Sequence, residues 1–158
     1  MSGVKIEGDW SKFEQHLNKM INLNFTSIHE EIGEALVSST QKRFEDEKSP
    51  DGKSWEKSIR AKEESGQTLT DSSRLKTSIT YKAKPEGVAV GTNVKYASVH
   101  QDGMTIKAKG KFLKFAVGKG FAQVKHVKIP ARPFIGISSD DQTEIKAIVT
   151  QHIKEALK

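Results

Sequence analysis

The chain predicts an α+β fold, and three observations carry that prediction. Apolar residues recur at helical spacing across residues 10–47 and again across 139–157. From Ser78 onward the apolar period changes to two, as in half-buried strands. The order is therefore helices, then strands, then a helix, which segregates helices from sheet in one domain. The expected architecture has N-terminal helices, a central antiparallel β-sheet with hairpins, and a C-terminal helix packed on the sheet. A length of 158 residues suits one domain spanning 1–158.

Asp9 is the expected N-cap of a first helix. Trp10, Phe13, Leu17 and Met20/Ile21 then fall on one face. Asn22 and Asn24 interrupt that pattern. A longer helix over about 26–47 carries Ile28, Ile32, Ala35/Leu36, Ser39 and Phe44 as its stripe, with Gly33 inside it. Such a glycine costs about 1 kcal/mol against alanine, so it either admits a close neighbour or is incidental. Pro50, Asp51 and Gly52 predict a turn, because proline presets φ and glycine permits a positive one. Trp55 anchors the return to the core or to a partner surface. Residues 56–68 are highly polar and are expected to be mobile. A short capped helix begins at Thr70/Asp71 and carries Leu75.

Ile79, Tyr81 and Ala83 alternate with polar residues, Pro85 to Gly87 turns the chain, and residues 88–90 return as a β-hairpin. Residues 96–100 read as one helical turn ended by Gly103. Strands are expected at 104–108, 111–117 and 121–129, with residues 118–120 as the turn between the last two. Residues 134–137 add a possible final strand. Ser138/Ser139 cap a last helix, striped by Ile145, Ile148/Val149, Ile153 and Leu157.

The charge is uneven. Residues 1–100 hold fifteen basic and fifteen acidic residues, so the formal +6 comes from eleven basic and five acidic residues in 101–158. Within 103–132 there are eight basic residues and no acid. One reading is a basic hairpin at 104–128 that attracts polyanions through Lys107, Lys109, Lys111, Lys114, Lys125 and Lys128. The other is a solvated, lysine-coated hairpin that resists edge aggregation. Phe112, Leu113, Phe115 and Val117 put apolar residues on both faces, which suggests contact with another subunit. No apolar run approaches the roughly 20 residues that span a bilayer, so no membrane partner is expected. Residues 1–10 hold no hydrophobic leader core, so the expected site of synthesis is a cytoplasm.

Catalytic chemistry finds little support. There is no cysteine, which excludes disulfides and thiolate zinc sites. The histidines at 16, 29, 100, 126 and 152 form no ligand pair at metal-binding spacing. His100 has no serine in a nucleophile elbow to serve, and is expected to hydrogen-bond within its own loop. No phosphate loop or dinucleotide fingerprint is present. The chain is read as a non-enzyme without cofactor or metal. Pro130 and Pro133 stiffen the backbone around Arg132, so its planar guanidinium is held for a carboxylate, either within the chain or on a partner.

Four segments together resemble the phage virion morphogenesis family, the tail-completion and head–tail joining proteins of Mu-like phages. Arg43-Phe44 with Pro50, Asp51, Gly52 and Trp55 looks like that family's Arg-Phe, Asp-Gly, Trp block. Residues 69–75 are similar to its Leu-x-x-Thr-Gly-x-Leu block, with Ser72 and Ser73 where Thr-Gly is usual. Gly91 to Asn93, Tyr96, Ala97, His100, Gln101 and Gly103 match closely, as do Pro130 to Phe134 with Gly136. The resemblance implies a structural virion protein. It would work in the host bacterial cytoplasm during assembly and then in the tail or neck of the virion. Its expected partners are other tail and connector proteins and further copies of itself in a ring. Trp55, Tyr96, His100, Gln101, Arg132 and Phe134 are the expected determinants of fold or interface. The alternative is a basic nucleic-acid-binding module built on the lysine-rich hairpin.

Overall fold

The computed structural model describes residues 8–117 and 120–158. Helix α1 (Ser11–Ile21) starts one residue later than expected: its N-cap is Trp10, without a side-chain cap, and the Asp9 carboxylate instead accepts the Ser11 N–H at 3.0 Å. Its apolar stripe is present but largely exposed, although the helix touches the C-terminal helix. No residue of α1 is buried, and Trp10 and Ile21 are 66% and 67% exposed.

Helix α2 (Phe25–Asp46) begins at Asn24, whose side chain accepts the Ser27 N–H at 3.2 Å. The asparagines that break the first stripe thus mark a helix boundary. One end of α2 packs Ile28 and Ile32 against Ile148. The other end buries Phe44 among Trp55, Leu75, Ile79, Val94, Ala97 and Phe134. Burying each large apolar side chain contributes about 1.5–3 kcal/mol.

Strands β1 (Thr80–Lys84) and β2 (Gly87–Gly91) form the expected hairpin and lie on α2. Gly33 is not incidental. A Cβ there would sit 2.4 Å from the Tyr81 ring, so glycine allows β1 to rest on the helix.

The mixed α+β class is as predicted, but the strands do not form one central sheet. Among the described residues they form three two-stranded antiparallel sheets. Strand β3 (Met104–Lys107) pairs with β6 (His126–Ile129), and β4 (Leu113–Val117) pairs with β5 (Gly120–Val124). These two ladders are successive parts of one long hairpin. Between Lys107↔His126 and Leu113↔Val124, five residues on one strand (108–112) face one (Lys125) on the other. Ala108 still donates to the Lys125 carbonyl at 2.9 Å. The excursion around Gly110 breaks the ladder and splits the expected strand 121–129. Gly118 and Lys119, where a turn is expected from the sequence, lie outside the described residues.

Helix α6 (Ser139–Leu157) opens with a reciprocal capping box between Ser138 and Asp141. It packs chiefly on α2 rather than on the strands, because its stripe meets Ile28 and Ile32. Residues 56–68, expected to be mobile, contain helix α3 (Ile59–Glu63) and two buried anchors, Ala61 and Thr68. The Thr68 N–H donates to the Glu47 carboxylate at 2.7 Å. Short helices α4 (Arg74–Thr77) and α5 (Ala97–Asp102) complete the fold. Ser73 precedes α4 with φ +55°, the left-handed backbone that glycine adopts most easily.

Candidate functional site

Residues 130–136 form no strand. They run as a strap whose polar backbone groups are taken by side chains instead of by a ladder. Arg43 donates from Nη1 to the carbonyls of Phe134 and Gly136, both at 2.9 Å. Its Nη2 reaches Ser39 and pairs with Asp141. Gln101 donates to the Ile135 carbonyl at 2.9 Å and accepts the N–H groups of Phe134 and Ile135 at 3.0 and 3.1 Å. The Trp55 indole donates to the Pro133 carbonyl at 3.0 Å.

Close packing completes the clamp. The Phe44 ring lies 5.1 Å from Phe134 and 5.5 Å, edge-on, from Trp55. Gly103, at φ +72°, would place a Cβ 2.7 Å from the Ala131 nitrogen. A Cβ on Gly136 would meet Pro50 at 2.7 Å. The segments that looked separate in sequence therefore meet at one strap.

Asp141 is the charged centre of this clamp. Burial raises its pKa, but hydrogen bonds from Ser138 and Ser39 and the Arg43 charge outweigh burial and hold the carboxyl below its usual value.

Beside the strap, Arg132 is only 5% exposed. Its Nε donates to the Glu56 carbonyl at 2.7 Å, and its N–H donates to the His100 carbonyl at 2.6 Å. No ion pair to Arg132 occurs among the described residues. The Tyr96 ring stands edge-on to His100 with centroids 6.0 Å apart, and Tyr96 is itself exposed. His100 Nδ1 is buried and has no hydrogen-bond partner among the described residues. Burial first, and the Arg132 charge second, push the His100 pKa down, which favours a neutral ring.

The six expected residues thus divide. Trp55, Gln101 and Phe134 hold the strap in place. Tyr96, His100 and Arg132 line an adjoining cavity. The sequence reading passed over the Arg43–Asp141 pair as a unit, although Ser138 and Asp141 at capping-box spacing were a signal for part of it. The lysines at 107, 109, 111, 114, 125 and 128 are all exposed on the long hairpin, and Lys128 lines a cavity that Arg132 of the strap also lines.

The family model for the phage virion morphogenesis family matches residues 8–154. The chain belongs to this family. It is accordingly a structural bacteriophage protein of virion morphogenesis, associated with the virion. No curated protein and no solved structure gave a match. Among the described residues no helix is long and apolar enough to cross a membrane. Family membership also bears on Ser73. It stands where the family's block usually has glycine, and its backbone keeps a glycine-like positive φ.

Proposed function

We propose that this protein completes the tail and joins it to the head, working through protein–protein contacts in a ring at the head-proximal end of the tail. The observation that carries this reading is a pair of unlike exposed apolar surfaces on one subunit. Helix α1 presents Trp10, Phe13, Leu17, Met20 and Ile21. The long hairpin presents Phe112 and Phe121, the latter 84% exposed. Clustered apolar surface of this kind marks a contact that the single subunit leaves open. Two different patches favour a head-to-tail interface, and such an interface gives a ring where its rotation closes. No catalytic role is needed.

Loss of the gene tests the role. Electron microscopy of phage particles made with a frameshifted copy is expected to show filled heads apart from tails. Overlong tails would assign termination in particular. Normally joined virions would refute the proposal.

A second reading rests on the six exposed lysines. The hairpin would contact DNA, either alone or where DNA leaves the head. Affinity would then fall steeply with salt, with a slope set by the phosphates neutralised. A salt-independent or absent shift in a DNA-binding assay removes this reading.

A further inference from the structure

A buried arginine at the meeting point of two cavities makes no ion pair among the described residues, although the Glu56 carboxylate acts on its charge. Cavities of about 560 and 300 Å³ lie on either side of it, and Ser58, Arg60, His100 and Arg132 line both. Arg132 uses its Nε on the Glu56 carbonyl, and no hydrogen bond from its two terminal nitrogens occurs among the described residues. A guanidinium held mostly out of water gains from a charged, hydrogen-bonded partner. The fold nevertheless fixes this one firmly, through Pro130 and Pro133 on either side and the strap clamp behind it.

Two further features belong to the same place. His100 Nδ1 is buried without a partner among the described residues. Leu69, which lines the smaller cavity, is held at φ +65°, an uncommon conformation for a branched residue. Arg60 is different, because Glu64 and the Gln67 carbonyl already occupy it. Arg132 is thus the buried cation left for an incoming group, with the exposed Lys62 and Lys128 also on the wall of the larger cavity.

We propose that this junction is a receptor for one aspartate or glutamate side chain in an extended segment of a neighbouring virion protein. The guanidinium fork matches a carboxylate in two parallel hydrogen bonds. Ile59, Phe115 and Ile129 on the wall of the larger cavity receive an apolar residue next to the acid. Glu56, Glu63, Glu64 and Asp71 stand around the same cavities together with Lys57, Arg60, Lys62 and Lys128, so the surrounding charge is mixed, and the planar fork of Arg132 is what favours a single carboxylate. The identity of the neighbour as a tail or connector protein rests on the function proposed above. The carboxylate site itself does not.

The test is an NMR titration of the isotope-labelled protein with acetyl-Leu-Asp-Leu-amide. The asparagine counterpart, inorganic phosphate and a short single-stranded oligonucleotide are the comparisons. The aspartate peptide is expected to move the Arg132 Nε–H signal and the amides of Ser58 and His100. The asparagine peptide should bind at least about tenfold more weakly, since a charge-assisted pair is lost. Arg132→Lys keeps the charge and loses the fork, and should weaken binding. Ile59→Glu, at an exposed position of the rim, supplies a competing carboxylate while leaving the fold alone, and should abolish binding. Equal response to both peptides, response to phosphate or oligonucleotide instead, or undiminished binding by Ile59→Glu each overturns the proposal. Peptide binding together with normally joined virions in the frameshift experiment would keep the receptor and remove the joining role. Absent binding with unjoined virions would do the reverse.

Discussion

The strap at 130–136 and the hairpin at 104–129 are neighbours in sequence and opposites in physics. The strap is held by Arg43, Gln101 and Trp55 from three other parts of the chain, and Phe134 beneath it is 1% exposed. The hairpin is held mainly by its own ladders, which break at residues 109–112, and Phe121 at its end is 84% exposed. Most residues that mark the family are in or against the strap, so they mark the scaffold. The surfaces proposed above for contact with other proteins, on α1 and on the hairpin, lie mostly outside those motifs. Arg132 is where the two kinds of region meet, because it belongs to the strap and faces a cavity shared with the hairpin wall.

The largest expected effect comes from breaking the clamp. Arg43→Ala leaves the Asp141 carboxylate buried and uncompensated and frees two strap carbonyls. It should cost about 3–5 kcal/mol, read as a lower denaturation midpoint. The same pair sets an acid limit. The folded pKa of Asp141 lies below the unfolded value near 3.8, so its contribution is present above that value. It is lost as pH falls through the folded pKa. Asp141→Asn should therefore flatten the loss of stability below about pH 4, followed by circular dichroism. Gln101→Ala removes three hydrogen bonds to the strap and should cost about 1–3 kcal/mol. Ser73→Gly has the smallest effect and the opposite sign. It relieves a left-handed serine and should stabilise by roughly 0.5–1 kcal/mol, seen as a small rise in Tm.

Helix periods made α1, α2 and α6 legible in the sequence, because each stripe repeats over several turns. The β1–β2 hairpin was legible from its alternation and its turn. Strand pairing beyond it was not, because alternation gives a face and not a partner, and the excursion at 109–112 has no periodic signature. The irregular strap resembled a strand because Phe134, Ile135 and Ile137 are apolar. Its backbone partners, Arg43 and Gln101, lie 91 and 33 residues from Phe134. Residues 56–68 looked solvated because only Ala61 and Thr68 are buried there, and neither is large. The cavity beside Arg132 follows from tertiary placement, so only the stiff presentation of the arginine was visible in advance.

The central claim is that motifs build the scaffold while α1 and the hairpin make the contacts. Complementation of the frameshifted phage by a Phe13→Ser, Phe121→Ser double variant tests it most directly, with Tm measured on the same purified protein. Both side chains are exposed, so stability should change by no more than about 0.5 kcal/mol. The account predicts a folded protein of nearly unchanged Tm that fails to restore joined virions. Full restoration of joined virions by that variant would contradict it.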